Sequence, residues 1–526
     1  MRAIASLLVV IAAAAGPAVQ AATLRWSSQG DFLSADPHAQ NEGLNNNLND
    51  FVFERLTARD RKLGLIPSLA TRWERTGPAT WRYHLRKGVT FHDGSPFTAD
   101  DVVFSIKRAQ QPSSNFKVFA GVITAVRKVD AHTVDIDSPL PLSLLQENLT
   151  AIRIMSEAWC RRHGALVPQD FKTGEETYAS RNANGTGPYV LLKREPEIAT
   201  TFRRHPGWWG HAQKRFEGNV DEIVYRPIAS GATRMAALLS GEIDLVLDPQ
   251  LQDIPRLRTD PKVRIVEGVE NRVIFLVMDQ GSDTPKYTDT TGRNPFRDPR
   301  VRRALYQAID VEGLKRQVMR GLAAPTGSMV PTTVQSDPSL EPRLAPYDPA
   351  AARKLLAEAG YPQGFSTSLL CPNNRYVNDE RICTALTGMF AKIGVKVRLD
   401  SVPRAQFFQK VDTFDFAVHL YGWGGAATDP QFTLSPVLRS RDNKGKGDFN
   451  SGRFRDEALD RLIDASEVEQ DEKKRRALLV EAMQRVRENI HTIPIHRQVI
   501  PWAVRANVRP VHRADNVVEP LWTRVD

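Results

Sequence analysis

Hydrophobic and polar positions along this chain repeat with two different periods, one typical of helices and one typical of strands. Residues 301–309 place apolar side chains at the spacing of one helical face, after Asp298 as the expected N-cap and Pro299 as the first helical residue. Residues 395–399 instead alternate apolar with basic side chains, which predicts a strand with one buried face. The chain therefore contains both kinds of element.

Helices and strands are predicted to alternate from one end of the chain to the other. Asp348 begins a helix that ends near Gly360, residues 478–486 form a later apolar stripe, and a helix at 235–239 ends at Gly241. Short β-prone runs lie between these helices. The alternation predicts an α/β fold class.

The segment 89–106 predicts a short strand, a tight turn and a capped helix in that order. His92 and Asp93 lie in the turn, and Thr98 is the expected N-cap, with Asp101 three residues later as a carboxylate version of the capping box. Nothing in this pattern requires a catalytic role for either residue. We interpret the histidine and aspartate as turn residues and not as a catalytic pair.

Length and composition narrow the class of protein. At 526 residues the chain is too long for one ordinary core, so we expect two or more lobes. Its hydrophobic fraction of 41% and charged fraction of 25% are typical of a soluble globular protein. The formal charge of +10 is dispersed among acidic residues, so we expect no nucleic-acid partner, and the balance is compatible with a carboxylate or phosphate ligand.

The first residues have the pattern of a secretory signal peptide. Arg2 precedes an apolar run at 4–15, a Gly-Pro pair ends it, and Val19-Gln20-Ala21 presents small residues at the positions that a signal peptidase reads. We predict cleavage after Ala21 and export to the periplasm. An uncleaved membrane anchor is the alternative, for which the run is short. No cysteine follows the run, so no lipid anchor is expected.

Motifs of enzymes and metal sites are absent from the sequence. It contains no HExxH, no Walker loop, no GxSxG and no strand-linked GxGxxG, so we expect no catalytic residues. Its 11 histidines are scattered, which predicts no metal site and no cofactor. The cysteines leave two interpretations open: Cys371 pairs with Cys383 and leaves Cys160 over, or all three are buried thiols.

Two stretches that follow predicted strands have the composition of ligand contacts. Tyr421–Pro430 combines aromatic residues, glycines and an acid after the apolar segment Phe414–Leu420, and Trp423 offers a flat wall. Asn373–Asn378 follows a strand at Ser368–Leu370, and open α/β sheets bind ligands at strand ends. For the first stretch, a packed loop with a structural tryptophan is an equal alternative.

Nine segments of the chain form a pattern when taken in order. They are LSADPHAQNEG (33–43), GLIPSLATRWE (64–74), WRYHLRKGVTFHDGSPFTADDVVFSIKR (81–108), GTGPYVL (185–191), AALLSGEIDL (236–245), NPFRDPRVRRALYQAID (294–310), YDPAAARKLLAEAGYP (347–362), KIGVKV (392–397) and IPIHRQ (493–498). Together they resemble the peptide-type substrate-binding proteins of ABC importers, extracellular solute-binding family 5. The resemblance extends over essentially the whole mature chain.

The resemblance implies the large, three-subdomain form of the type II periplasmic-binding-protein fold, with a ligand cleft between two lobes that close like a hinge. The implied first lobe comprises residues 22–278 and 490–526 and includes a small subdomain at roughly 55–184. The implied second lobe comprises residues 279–489.

The resemblance also implies a function. Family members are not enzymes; they capture a solute in the periplasm, often a peptide, and deliver it to the membrane permease subunits of an ABC importer. An opine, a sugar conjugate or a metal chelate is the alternative ligand within this class. A secreted hydrolase and a periplasmic chaperone are distant alternatives. We expect a monomer.

The implied ligand contacts come from five places along the chain: Glu42, Gly43 and Leu44; Phe116 or Phe119; Asn374, Arg375 and Tyr376; Tyr421, Gly422, Trp423, Gly424, Ala426 and Asp429; and His496 or Arg497. Peptide-binding relatives usually place an aspartate three residues after the tryptophan, where it pairs with the free α-amino group of the ligand. This chain has Ala426 there. A buried ammonium without a partner is costly, so we hypothesise a ligand other than a standard free-amine peptide. Asp429 either holds the loop or replaces the missing carboxylate.

The signal peptide gives a direct test. Because small residues end at Ala21, we expect exported protein to begin at Ala22. Amino-terminal sequencing of protein recovered from the periplasm measures this, and an intact Met1 would contradict the prediction.

Overall fold

The computed structural model describes residues 22–526 except 139–144, 171–172, 174, 291, 331–336, 374, 425–428 and 443–445. The predicted cleavage site after Ala21 and the predicted ligand contacts Asn374 and Ala426 lie outside the described residues. Within the described part of the chain, none of the helices combines the length and the apolar character needed to cross a membrane.

The described residues form strands and helices that alternate along most of the chain, which confirms the predicted α/β class. The strands are β1 (Ala22–Ser28), β2 (Thr57–Arg59), β3 (Leu65–Pro67), β4 (Ala70–Arg75), β5 (Thr80–Leu85), β6 (Ala125–Asp130), β7 (Thr133–Asp137), β8 (Tyr189–Glu195), β9 (Ala199–Arg204), β10 (Val220–Pro227), β11 (Leu245–Val246), β12 (Val263–Met278), β13 (Ala323–Pro325), β14 (Phe365–Pro372), β15 (Val395–Val402), β16 (Val418–Gly424), β17 (Thr492–Arg505), β18 (Val508–Arg509) and β19 (Arg524–Val525). The α-helices are α1 (Gly43–Asp50), α2 (Ala99–Ala109), α3 (Lys117–Ala120), α4 (Leu145–Leu149), α5 (Glu157–Arg162), α6 (Tyr178–Arg181), α7 (Gly231–Ser240), α8 (Ile254–Leu257), α9 (Pro299–Gln307), α10 (Val311–Gly313), α11 (Pro349–Glu358), α12 (Asp379–Ala391), α13 (Arg404–Asp412), α14 (Gln431–Thr433), α15 (Glu457–Val468) and α16 (Glu472–Asn489).

One mixed sheet of 11 strands runs through the molecule in the order β15-β14-β16-β12-β17-β11-β1-β10-β9-β8, with β13 paired to β17. Strands β1 and β14 have parallel neighbours, whereas β12 and β17 pair antiparallel with each other and with strands on either side. We call β1 and β8–β11 the first lobe of this sheet, and β13–β16 the second lobe.

The two longest strands, β12 with 16 residues and β17 with 14, belong to both lobes. Their amino- and carboxyl-terminal parts pair in opposite halves of the sheet, so they connect the lobes twice. The lobe bounds that the sequence predicts, 22–278 with 490–526 and 279–489, stay a prediction.

A second, antiparallel sheet in the order β4-β5-β7-β6 packs against α2 and has its own apolar core. Helix α2 begins as predicted, since Thr98 is its N-cap and Asp101 completes a capping box. The His92 ring hydrogen-bonds a backbone carbonyl, and Asp93 accepts hydrogen bonds from Ser95. Both residues therefore serve the turn, as the sequence predicts.

A buried ion pair joins α2 to the segment that precedes α1. Arg108 donates to both carboxylate oxygens of Asp36 at 2.7 Å, and both side chains are fully buried. Arg108 also donates to the backbone carbonyl of Ala165 at 3.0 Å. Removing one member of such a pair leaves an uncompensated buried charge. The pair thus fixes the four-stranded sheet and α2 against the first lobe.

Apolar cores cover both faces of the second lobe. Along β12, Ile274 and Leu276 enter the core that contains α9, α11 and α12, while Val273, Phe275 and Val277 enter the core that contains α15 and α16. This alternation follows from the two-residue period of a strand. Residues 273–278 of β12 are therefore buried on both faces, which explains the unbroken apolar run that ends the strand.

The predicted helix ends are confirmed at three places. Helix α9 begins at Pro299 after Asp298, and α11 begins at Pro349 after Asp348, each with the aspartate as N-cap. Helix α7 ends at Gly241, which adopts a left-handed φ of 86°. A side chain would be strained there, so glycine ends the helix.

The predicted boundary between a strand at Phe414–Leu420 and a loop that starts at Tyr421 is wrong. Strand β16 begins at Val418 and continues to Gly424, in register with β12. A Cβ on Gly424 would lie 1.8 Å from the carbonyl oxygen of Asn271. This glycine therefore permits a close strand contact and does not mark a turn.

The cysteines follow the first of the two interpretations. Cys371 in β14 and Cys383 in α12 form a disulfide, and Cys160 is a buried free thiol. Burial raises the pKa of the Cys160 thiol to about 12, so this thiol is unreactive at neutral pH.

Buried histidines make stability depend on pH. Burial holds the pKa at about 3 for His38 and His419 and at about 4 for His92 and His496. The unfolded chain takes up protons at these residues below about pH 6.5, whereas the folded chain does not until the lower pKa. Each histidine therefore removes up to about 1.4 kcal/mol of stability per pH unit as the pH falls through this window.

We expect His419→Gln to make the dependence of unfolding free energy on pH shallower by about 1.4 kcal/mol per pH unit between pH 6 and 4. Urea unfolding at several pH values, followed by circular dichroism, measures the slope in the variant and the parent. Equal slopes in the two proteins would contradict the assigned role of His419.

Candidate binding cleft

A cleft of about 2040 Å³ lies between the two lobes of the large sheet. Its walls come from β1 and α1, from β2, β3, α3 and α4, and from the second lobe, and residues of β12 and β17 run along it. A cavity of this size is larger than a typical small-molecule pocket.

The ladder between β12 and β17 is interrupted where it reaches the cleft. A register shift after Val269 removes Glu270 to Arg272 from pairing with β17. The Arg272 Nε lies 3.1 Å from Glu270 Oε2, and the Gln498 amide donates to the same oxygen at 3.0 Å. All three side chains line the cleft. The connection between the lobes is therefore a polar cluster and not a continuous ladder.

The loop after β14 presents Arg375 to the cleft. Backbone N–H groups of Arg375 and Tyr376 both donate to Asp379 Oδ2 at 2.9 Å, and the N–H of Val377 donates to Gln498 Oε1 at 3.2 Å. Side chains from α12 and β17 thus hold the loop. Through Gln498 the loop is tied to the polar cluster at the lobe connection.

The Arg375 guanidinium has the environment of an anion site. It is half-buried, stacks 5.2 Å from the Tyr376 ring centroid, and its Nε is buried without a hydrogen-bond partner among the described residues. Burial lowers the pKa of this group, and the positive charges of Arg272 and Arg404 lower it further. A carboxylate here would offset these costs.

Trp423 lies at the end of β16, paired in register with Val273 of β12. Its indole Nε1 donates to the carbonyl of Phe432 at 2.7 Å, and its ring centroid lies 4.8 Å from that of Phe449. Both interpretations of this residue therefore have support: it is fixed by the structure and its ring also lines the cleft.

Asp429 has the contacts of a residue that holds its loop. It forms an ion pair with Arg475 at 2.8 Å and accepts a hydrogen bond from the N–H of Gln431 at 2.9 Å. With its oxygens engaged in this way, Asp429 offers less to an ammonium group than a free carboxylate would.

Nine predicted contacts are brought together along the cleft. They are Glu42, Gly43, Leu44, Phe116, Phe119, Arg375, Trp423, Gly424 and Asp429. Among them, Glu42 is also the N-cap of α1, because its side chain accepts the N–H of Asn45 at 3.1 Å.

Five predicted contacts lie outside the cleft lining: Tyr376, Tyr421, Gly422, His496 and Arg497. Tyr376 is buried beneath the Arg375 loop, with its hydroxyl 3.4 Å from the carbonyl of Gly422. His496 is 2% exposed, and Arg497 pairs with Glu341 at 2.9 Å. These side chains point into the protein because the predicted segments supply strands as well as loops.

The sequence analysis missed the polar cluster of Glu270, Arg272 and Gln498. A signal existed for part of it, since Glu270-Asn271-Arg272 is the longest polar run in β12 and directly precedes its apolar half. Three consecutive polar residues next to a run buried on both faces indicate a place where the strand leaves the core.

A buried carboxyl group forms another part of the cleft wall. Glu54 accepts hydrogen bonds from the indoles of Trp209 at 2.7 Å and Trp208 at 3.3 Å. Burial raises the pKa of Glu54 to about 7, despite these donors and the nearby Arg215. This carboxyl group therefore changes charge near neutral pH.

Comparison with known proteins identifies the family. The model of the bacterial extracellular solute-binding proteins, family 5, matches residues 64–445, which is most of the chain. The chain belongs to solute-binding family 5.

Curated relatives of this family 5 protein are named as binding proteins. It is 29% identical over 474 residues to heme-binding protein A of Haemophilus influenzae, which covers 85% of this chain and 82% of the relative. It is 26% identical over 530 residues to di/tripeptide-binding protein 1 of Pseudomonas aeruginosa, with coverage of 96% and 94%.

A solved structure supports the fold of the family 5 protein. The ABC transporter-associated periplasmic binding protein DppA of Helicobacter pylori, in complex with peptide STSA, has a TM-score of 0.78 and 20% identity, covering 96% of this chain and 98% of its own. The two-lobed α/β fold that the sequence predicts is thereby confirmed.

Glu54 gives this family 5 protein a measurable titration in the cleft wall. Because Glu54 bonds two indoles and has a pKa of about 7, we expect tryptophan fluorescence to change between pH 6 and 8 with a midpoint near 7. We expect Glu54→Gln to abolish that step. Persistence of the step in the variant would contradict its assignment to Glu54.

Proposed function

We propose that this protein is the periplasmic receptor of an ABC importer, which captures a peptide-like solute between its lobes and delivers it to the membrane permease. Membership of solute-binding family 5, relatives named as binding proteins and a cleft between two lobes support this function. These relatives favour a binding role over the distant alternatives of a secreted hydrolase or a chaperone.

A carboxylate on the solute is the feature that the cleft supports best. The single observation that carries this part is Arg375, a half-buried guanidinium beside two other arginines, with its Nε unpartnered among the described residues. Arginine binds carboxylates through two parallel hydrogen bonds, which gives both strength and orientation. Arg375 therefore has the geometry of an anchor for the acidic end of a solute.

A free amino group on the solute has less support. Ala426 replaces the aspartate that peptide-binding relatives usually carry, and Asp429 is engaged with Arg475. Two further carboxylates along the cleft are paired with arginines, Glu270 with Arg272 and Asp50 with Arg153. We infer a peptide-like solute whose amino group is blocked or contributes little to binding.

Other ligand classes are less favoured. The relative named for di- and tripeptides favours a peptide-like solute over an opine or a sugar conjugate. Among the described residues, no group of three or more histidine, cysteine, aspartate or glutamate side chains is arranged to hold a metal ion. We also propose cleavage after Ala21 and a monomeric receptor.

A peptide panel tests the proposal. Calorimetry would compare di- and tripeptides, glutathione, and their N-acetylated and C-amidated forms. We expect N-acetylation to be tolerated, and amidation of the carboxyl terminus to weaken binding roughly 10- to 100-fold, equivalent to about 1.5–3 kcal/mol. Native mass spectrometry of protein purified without denaturation would show whether a retained ligand carries a carboxylate. Tight binding that depends on the free amine and not on the carboxylate would overturn the ligand class.

Arg375→Ala should remove the same binding energy as amidation. We expect the variant to bind the free-carboxylate form about as weakly as the parent binds the amide. Arg381→Ala is the matched control, because Arg381 is an exposed arginine on the neighbouring helix α12 and does not line the cleft. Equal affinities in the parent and in Arg375→Ala would argue against Arg375 as the anchor.

A further inference from the structure

The disulfide closes the chain around the loop that carries Arg375. Cys371 lies near the end of β14 and Cys383 in the second turn of α12, with Cα atoms 6.4 Å apart and a sequence separation of 12. Both sulfurs are buried in the core between the sheet and α12. The two ends of the loop at 373–378 are thus fixed relative to each other.

The first turn of α12, next to the turn that carries Cys383, carries the main anchor of the loop. Asp379 lies four residues before Cys383, so the two side chains occupy one face of the helix. Asp379 accepts the backbone N–H groups of Arg375 and Tyr376, and its own carbonyl lies 3.4 Å from the Cys371 sulfur. Any movement of this turn would therefore move the amides that present Arg375.

The conformation of the loop is opposed by local forces. Asn378 adopts a left-handed φ of 55°, which costs energy for a residue other than glycine. The positive charges of Arg272 and Arg404 repel Arg375, which is itself partly removed from water. Without a firm tie between β14 and α12, Arg375 would lower its energy by moving toward solvent.

We propose that the Cys371–Cys383 disulfide is a positioning element of the binding site, which holds residues 375–378 so that Arg375 stays presented to the cleft. The part of the disulfide in ligand binding rests on the proposed function, because it acts through Arg375. The effect of the disulfide on the loop does not depend on the proposed function. The disulfide constrains a short loop directly, and it restricts the alternative conformations into which that loop would otherwise relax.

Hydrogen exchange tests the effect on the loop without any ligand. In the full chain with Cys371→Ala and Cys383→Ala together, we expect the backbone amides of Arg375, Tyr376 and Val377 to exchange at least about tenfold faster than in the parent. Cys160→Ala is the matched control, because Cys160 is a buried free thiol outside the second lobe. Unchanged exchange of the three amides in the folded double variant would overturn the proposal.

Binding tests the connection to Arg375. The probe is the N-acetylated dipeptide with a free carboxylate that binds the parent most tightly in the panel. We expect the double cysteine variant to bind this dipeptide about tenfold more weakly than the parent does. In a protein that already carries Arg375→Ala, we expect the same two cysteine substitutions to cause no further loss of affinity. An equal loss in both backgrounds would show general damage to the second lobe and contradict positioning. If Arg375→Ala itself has no effect, the carboxylate anchor fails, while the exchange measurement still decides the role of the disulfide.

A reduced form of the parent covers the case in which the double variant does not fold. Phosphine reduction under native conditions, with alkylation and mass measurement to count the thiols, gives the same protein without the bond. We expect the same local increase in exchange, and a reduced protein with unchanged loop exchange would overturn the proposal.

Discussion

The antiparallel pairing of β12 with β17 is the constraint on which the rest of the structure depends. These two strands belong to both lobes of the 11-stranded sheet, and the longest interruption of their ladder is at Glu270 to Arg272. A bend in a sheet needs a place where hydrogen bonds of the ladder are missing and side chains replace them. Here the Glu270–Arg272 pair and Gln498 satisfy each other at that place. The cleft, the Gly424 contact and the anchor of Val377 all adjoin it.

Several carboxylates along the cleft form ion pairs with arginines, whereas Arg375 has no such partner among the described residues. Asp50 contacts both Arg55 and Arg153, Asp429 contacts Arg475, and these pairs offset much of the cost of partial burial. Arg375 differs, because the charged groups nearest to it include two further arginines, while the carboxylate of Glu270 is already shared by Arg272 and Gln498. A protein retains such a group at a cost to stability, and sites of this kind coincide with function more often than with packing.

Local signals in the sequence were sufficient for much of the fold. The caps at Thr98, Asp298 and Asp348 depend on side chains within a few residues, so the helices that they begin were predictable. The end of β16 was not, because Gly424 is required by the carbonyl of Asn271, more than 150 positions away in the chain. Pairing between distant strands decides such boundaries, and no local pattern contains it.

The candidate site divides in the same way. The loop with Arg375 and the strand end with Trp423 were predictable from composition and from the resemblance to a family. The burial of His496 was not, because its side chain direction depends on the register of β17 with Ile274. The polar cluster of Glu270, Arg272 and Gln498 is formed by strands that meet only in the folded protein. The sequence alone therefore showed the polar run in β12 but not that Gln498 of β17 would contact it.

The closing of the two lobes that the family resemblance implies would bring two opposing contributions together. Val118 is 62% exposed and Phe449 is 43% exposed, and both line the cleft, one from the α3 side and one from the second lobe. Burying their apolar surface favours closing by about 25 cal/mol per Å². Taking Arg375 further from water opposes closing, since among the described residues no carboxylate is paired with it. A solute carboxylate bound to Arg375 would offset this cost of desolvation. The solute would then bind the closed arrangement more tightly than the open one, and only such a difference in affinity shifts the equilibrium between them. An uncharged solute of the same shape would leave the opposition in place.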